Sequence, residues 1–268
     1  MKNVKNLSGS ARLSAWPIIN VREVQAKSIL NKSKIHDYCL NPYTGCAVNC
    51  RYCYARLFMR RYSGHIEPWG SFVDVKINAP ELLRRQVAKM KKGLVWISSV
   101  CDPYQPLEER YRLTRSCLEI LAEAKFPVTI QTKMTLILRD LDVLERFDEI
   151  EVGMTLSTDD EKMARTFEPG ASPVGERMAA LEKIHSRGIP TFAFLGPLLP
   201  GVPERSIAGL AGKVDRILVD RMNYLETIIG LYHKLGLTEA ATDRFFRGQA
   251  QRIAREAKKY GLPCEILF

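Results

Sequence analysis

From Tyr38 onward, short apolar runs alternate with longer stretches whose apolar residues recur at helical spacing. Residues 94–100, 128–132, 150–156, 191–195 and 214–219 are compact apolar runs that predict strands. Residues 73–77 alternate with period two and predict another strand. A further strand ends near residues 39–42, because Pro42 lacks the N–H that a central ladder needs. Residues 53–62, 114–124, 139–147, 159–167 and 172–187 predict helices. One more runs from Asn78, as its cap, through Pro80 to about Lys91. Pro173 opens the helix over 172–187 and Gly188 lies just past its end, the expected asymmetry. Strands alternating with helices imply βα units, about six between residues 38 and 220, in a parallel sheet. A doubly wound sheet and a complete or partial barrel both fit. Residues 1–35 lack periodicity and read as a basic arm with one short helix and a loop at Ser8-Gly9-Ser10. Residues 36–220 read as the core, and 221–268 as a helical extension packed on it.

Charge adds an asymmetry. The chain of 268 residues carries 40 Lys and Arg against 30 Asp and Glu, a net +10. Residues 1–67 hold 11 of the basic residues and only Glu23, Asp37 and Glu67 as acids, so they carry +8 of that total. Arg51, Arg56, Arg60 and Arg61 contribute half of it. Such a quarter suits a polyanionic partner, although a solvated basic surface fits as well. The stretch 243–259 is also basic, with Arg244, Arg247, Arg252, Arg255, Lys258 and Lys259 against Asp243 and Glu256. It reads as an exposed amphipathic face before a nucleic-acid contact. The composition excludes disorder, collagen-like sequence and a small disulfide scaffold. No signal peptide is visible at the N-terminus. The most apolar stretch, residues 189–202, is broken by Pro190, Gly196, Pro197, Pro200 and Gly201, so no membrane span is expected. The reading is a soluble, cytoplasmic protein.

Seven cysteines, at 39, 46, 50, 53, 101, 117 and 264, are an odd number for a disulfide framework. Three fall in Cys46-Ala-Val-Asn-Cys50-Arg-Tyr-Cys53. Thiolates at spacings of four and three residues converge on one centre if the chain loops, and they suit zinc or an iron–sulfur cluster. A structural zinc asks for four ligands, often two Cys-x-x-Cys pairs, and no second pair exists. Cys39, His36 and His65 lack conventional spacing for the fourth.

The pattern Cys-x3-Cys-x2-Cys, with the aromatic Tyr52 before the third cysteine, resembles the signature of the radical S-adenosylmethionine (SAM) enzymes. Further segments resemble their spore photoproduct lyase-like, or DNA repair photolyase-like, branch. These are Asn41-Pro-Tyr-Thr-Gly-Cys46, Cys53-Tyr-Ala-Arg56, Asp102-Pro-Tyr-Gln-Pro106, Thr132-Lys133, and Glu168-Pro-Gly170 followed by Glu176-Arg177. They span residues 38–202. The resemblance implies an α/β fold, a partial (β/α)6 TIM-like barrel with active residues at the C-terminal strand ends. It implies a [4Fe–4S] cluster held by Cys46, Cys50 and Cys53, with one iron left to chelate SAM. The reduced cluster then cleaves SAM to methionine and a 5′-deoxyadenosyl radical that abstracts hydrogen from a substrate. It also implies a one-electron donor of flavodoxin or ferredoxin type.

Carried over position by position, Lys133 pairs with the SAM carboxylate. Thr155 and Ser157 are cofactor donors or ordinary turn donors. Tyr52 and Tyr54 flank Cys53 as tyrosines linked to radical transfer do in the lyase; packing around the cluster is the plainer reading. In the lyase a Cys-x-Ser-Asp segment supplies the hydrogen-returning cysteine and a serine beside SAM. Here the order is inverted, with Ser99 first and Cys101 next to Asp102; Ser99 and Asp102 are assigned to the cofactor side. The O–H bond of Ser99 is too strong to replace a thiol, and Cys101 takes the catalytic assignment. Asp102–Pro106 reads as a rigid turn or a lining of the site.

The functional reading is a radical SAM enzyme that abstracts hydrogen from a substrate, with nucleic acid the candidate class. Two alternatives stand beside it: radical modification of RNA or protein, and a non-enzymatic nucleic-acid-binding protein with a structural metal.

Overall fold

The structure, a computed structural model, describes residues 19–201 and 203–268. The expected loop at Ser8–Ser10 and most of the expected arm lie outside the described residues. The described remainder of that arm differs from expectation. Residues 20–24 and 30–32 are strands, because their few apolar side chains, Val21 and Leu30 among them, are buried by partners distant in sequence.

The chain divides into two compact units, the first running to Asn49 and taking in Ala55–Gln131 and Arg139–Ile150. Its elements are β1 (Asn20–Val24), β2 (Leu30–Lys32), β3 (Tyr38–Leu40), β4 (Tyr43–Thr44), α1 (Ala55–Ser63), β5 (Phe72–Lys76), α2 (Ala79–Val87), β6 (Val95–Ile97), α3 (Glu108–Tyr111), α4 (Leu113–Glu123), β7 (Val128–Thr132) and α5 (Leu141–Leu144). Strands β2-β3-β6-β7 are neighbours in that order, antiparallel at β2–β3 and parallel after it. Strand β5 stands apart from them. It pairs parallel with β1 and antiparallel with β4 in a small side sheet. Its period-two pattern carries the reason. Val73 and Val75 face a core with Val21, Tyr43 and Leu107, whereas parallel strands covered on both faces read as continuous apolar runs.

Several expected elements are shorter than predicted, β6, α2 and α5 among them. Strand β6 stops at Ile97 because Ser98 has φ +65 and leaves the extended region. Helix α2 ends at Val87, not Lys91. Asn78 occupies its N-cap position without a capping bond, because its amide is spent on Ala26, Oδ1 accepting from the N–H and Nδ2 donating to the C=O. Residues 135–140 form a 3-10 turn ahead of α5 where one helix over 139–147 is expected.

The second unit comprises Cys50–Tyr54, Thr132–Leu138 and Glu151–Phe268. Its elements are β8 (Ile150–Thr155), α6 (Glu161–Phe167), α7 (Val174–His185), β9 (Thr191–Leu195), α8 (Pro203–Leu210), β10 (Arg216–Val219), α9 (Ile229–Lys234), α10 (Asp243–Lys259) and β11 (Cys264–Ile266). All four strands are parallel, ordered β8-β9-β10-β11. Gly153 lets the Phe192 ring of β9 lie on β8, since a Cβ there would sit 2.1 Å from that ring. Asp160 caps α6 by accepting from the Lys162 and Met163 N–H groups at 2.8 and 3.0 Å. The C-terminal stretch is mostly helical as expected, but it closes with β11. Three residues behind Pro263 are too few for periodicity to register.

Candidate active site

The first cysteine of the triad is fixed from both sides within the first unit. Gly45 has φ +86, and a Cβ there would meet the Phe72 carbonyl oxygen at 2.3 Å, so only glycine lets the chain turn into Cys46. Gln105 is wholly buried. Its Oε1 accepts from the Ala47 N–H at 2.9 Å and its Nε2 donates to the Gly45 carbonyl at 3.3 Å. The Asp102 N–H donates to Cys46 Sγ at 3.3 Å, while Asp102 Oδ1 accepts from the Tyr104 N–H at 2.9 Å. The rigid turn at Asp102–Pro106 is therefore also a clamp on the loop around Cys46.

Ser99 and Cys101 belong to this unit as well. Asn41 Nδ2 donates to Ser99 Oγ at 3.2 Å, and Asn41 Oδ1 accepts from the Val100 N–H at 3.1 Å. Lys76 Nζ donates to the Asn41 carbonyl at 2.8 Å. Cys101 Sγ donates to the Tyr43 carbonyl at 3.7 Å and packs on the core that holds Val21 and Tyr43. Burial pushes its pKa up to about 12, so it is a thiol at neutral pH.

Cys50, Tyr52, Cys53 and Tyr54 belong to the second unit with Lys133, Thr155 and Ser157. The Cys53 N–H donates to the Cys50 carbonyl at 3.1 Å. Arg51 ties this segment to the end of α6, its N–H donating to the Phe167 carbonyl and its Nε to the Thr166 carbonyl, both at 2.8 Å. Tyr52 is buried, and its hydroxyl donates to Glu168 Oε1. Ser157 Oγ donates to the same oxygen at 2.8 Å and lies 3.3 Å from the Tyr52 hydroxyl. Lys133 Nζ stands 5.7 Å from the centroid of the Tyr52 ring. Tyr54 is 44% exposed and lies outside this buried group.

Glu168 and Arg177 organise the group, and sequence reasoning gave neither a role. Arg177 Nη1 is 2.7 Å from Glu168 Oε2 and donates to the Thr155 carbonyl at 2.8 Å, while Nε donates to the Ser172 carbonyl at 2.7 Å. Both side chains are almost fully buried. Burial opposes ionisation of Glu168, yet the Arg177 and Lys133 charges and the Tyr52 and Ser157 hydrogen bonds more than offset it, and its carboxyl titrates below the ordinary range. Burial, then the Glu168 charge, pushes the Tyr52 phenol well above its ordinary value. The motifs Glu168-Pro-Gly170 and Glu176-Arg177 were the available signal. A pair that meets only after a loop and a helix turn leaves no periodic trace.

All seven cysteines are free of disulfides. Among the described residues no three His, Cys, Asp or Glu side chains gather around a single metal ion. An iron–sulfur cluster asks for something different, since each of its cysteines binds its own iron. The donor set fits that group: three soft sulfur ligands, one of them already accepting a backbone N–H, a contact that favours thiolate.

Comparison with known proteins agrees with this chemistry. Residues 40–214 match the Radical SAM superfamily. An uncharacterised protein of Methanocaldococcus jannaschii is 36% identical over 184 residues, 68% of this chain and 69% of that protein. The radical SAM Nalpha-GlyT isomerase of Pseudomonas phage M6 is 25% identical over 242 residues, 85% of this chain but only 49% of the phage protein. Among solved structures, spore photoproduct lyase complexed with dinucleoside spore photoproduct superposes with a TM-score of 0.68 at 13% identity, covering 92% of this chain and 82% of the lyase. That likeness is one of fold, an α/β arrangement of parallel strands consistent with the expected partial TIM-like barrel. No helix among the described residues is long and apolar enough to cross a membrane.

Proposed function

The chain belongs to the radical SAM superfamily, and on that premise we propose that it abstracts hydrogen from a nucleic-acid substrate. The cofactors of the family are a [4Fe–4S] cluster and SAM, and a variant of the lyase is solved with SAM bound. When bound, they supply one-electron cleavage of the sulfonium and hence a hydrogen-abstracting group. The observation that carries the reading is the cysteine triad inside the matched region, with Cys46 clamped by Gln105 and Asp102.

Cys46, Cys50 and Cys53 are the proposed cluster ligands. Lys133 supplies a cation for the SAM carboxylate. Ser99, Asp102, Thr155 and Ser157 are its proposed polar contacts. Ser157 already donates its hydroxyl hydrogen bond to Glu168, so it meets the cofactor as an acceptor. Cys101, held as a thiol, keeps the S–H bond that returning a hydrogen atom requires. Glu168 Oε1 accepts the Tyr52 hydrogen bond and would take the phenolic proton if the thiyl radical left on Cys101 by hydrogen return drew one electron from the ring. Tyr54, half in solvent, is the second tyrosine on this path.

The basic first quarter supports a polyanionic substrate. A fold neighbour solved with a dinucleoside spore photoproduct supports a nucleic-acid-like one. The test uses reconstituted protein, SAM and reductant with deuterated DNA, RNA or peptide fractions. Deuterium should pass from a nucleic acid into 5′-deoxyadenosine. Transfer from peptide alone would move the reading to protein modification.

A further inference from the structure

Helix α10 carries two kinds of basic residue, and the difference lies in their partners. Arg252 Nε is 3.3 Å from Glu204 and Lys259 Nζ is 2.6 Å from Glu256. Asp243, at the start of the helix, takes Arg221 at 3.1 Å. Arg244, Arg247, Arg255 and Lys258 are exposed, and none of them forms an ion pair among the described residues. With Gln251 they recur at steps of three and four residues, so the five share one stripe about 80° wide. The opposite face, with Phe246, Gln249, Ala250, Ile253 and Ala257, is buried. The two acids on α10, Asp243 and Glu256, are thus spent on cations outside the stripe, and the outward stripe keeps its charge.

We propose that this stripe is a docking surface for the phosphate backbone of a nucleic acid. The inference rests on the nucleic-acid reading above and adds a place on the molecule to it. The stripe runs about 21 Å along the helix axis, at 1.5 Å per residue. A single strand of duplex presents a phosphate about every 3.4 Å along its axis, so the stripe faces roughly six of them. Four cations and an amide within that length match a backbone contact that reads charge and not sequence. A lipid surface fits less well. A helix that lies in a membrane interface must offer its apolar face, and the apolar face of α10 is already buried within its unit.

The test measures binding of the cluster-reconstituted full chain to a labelled 30-bp duplex and a 30-nucleotide RNA, across salt. In Arg244→Gln/Arg247→Gln/Arg255→Gln/Lys258→Gln, affinity should drop at least about tenfold near 0.1 M salt. The slope of log K against log salt should flatten by about 3 to 4, near 0.9 per lost contact. The pairs Arg244→Gln/Arg247→Gln and Arg255→Gln/Lys258→Gln should each give about half of that flattening, which keeps the test open if the quadruple variant folds poorly. Arg252→Gln/Lys259→Gln, on the paired flank, should bind within about twofold of the parent protein, since a paired cation releases little counterion. If the parent protein binds nucleic acid and the stripe variants bind it with the same slope, the docking surface is wrong and the substrate reading stands. If the parent protein binds neither nucleic acid, both fall. Stripe-dependent binding to phosphatidylserine vesicles alone would replace this partner by a membrane.

Discussion

Gln105 shows how one uncharged side chain bears on the loop proposed to hold the cluster. Its amide satisfies a donor and an acceptor on either side of Cys46, in a place closed to water. In Gln105→Leu both groups stay buried and unpaired, at about 1–3 kcal/mol each. The variant should lose thermal stability by about that amount and retain clearly less iron than the parent protein after reconstitution and desalting. Parent-like iron retention and an unchanged unfolding midpoint would contradict the clamp. Sequence made the cysteines legible because their spacing is their chemistry. Gln105 was hidden in a segment whose two prolines read as a turn. Glu168 and Arg177 were hidden more deeply, since a buried ion pair is made by tertiary geometry alone.

Elements with many apolar residues in register were equally legible. Strands β7 and β9 fall on the expected residues because their apolar runs are bounded by Pro127 and Pro190. The failures are short elements. Strands β1, β2 and β11 have three to five residues each and owe their form to a neighbouring strand. The side sheet also carries a titratable strap. Glu67 accepts from Asn20 Nδ2 at 3.1 Å and Arg22 Nη2 at 2.7 Å, both on β1. Its own backbone N–H and the His65 ring, then the Arg22 charge, hold its carboxyl down at about 2, below its ordinary 4.5. A depressed pKa contributes stability above the ordinary value that is lost as pH falls toward the folded one. In Glu67→Gln the unfolding free energy from denaturant titration should drop at pH 7 by at most about 1 kcal/mol, the scale of a partly exposed pair. The gap should narrow below about pH 4.5 and close near pH 2. A gap that stays constant across that range would show that the carboxylate's charge is not what holds β1.

For the whole molecule, charge and chemistry are concentrated in the same quarter of the sequence. Residues 1–67 supply most of the net positive charge and also all three proposed cluster ligands. The stripe on α10 adds further cations nearly two hundred residues later, and these form no ion pair among the described residues. Alternating strands and helices between residues 38 and 220 were legible as a parallel α/β fold, and the family match over 40–214 falls on that stretch. The central claim is reductive SAM cleavage at a cluster held by the Cys46–Cys50–Cys53 loop. Its most direct test is 5′-deoxyadenosine formation by anaerobically reconstituted protein with SAM and dithionite, run beside Cys50→Ala of confirmed fold. The parent protein should form 5′-deoxyadenosine and the variant none above background. Equal turnover by the two, or none by a parent protein that binds zinc and holds no sulfide, would contradict it.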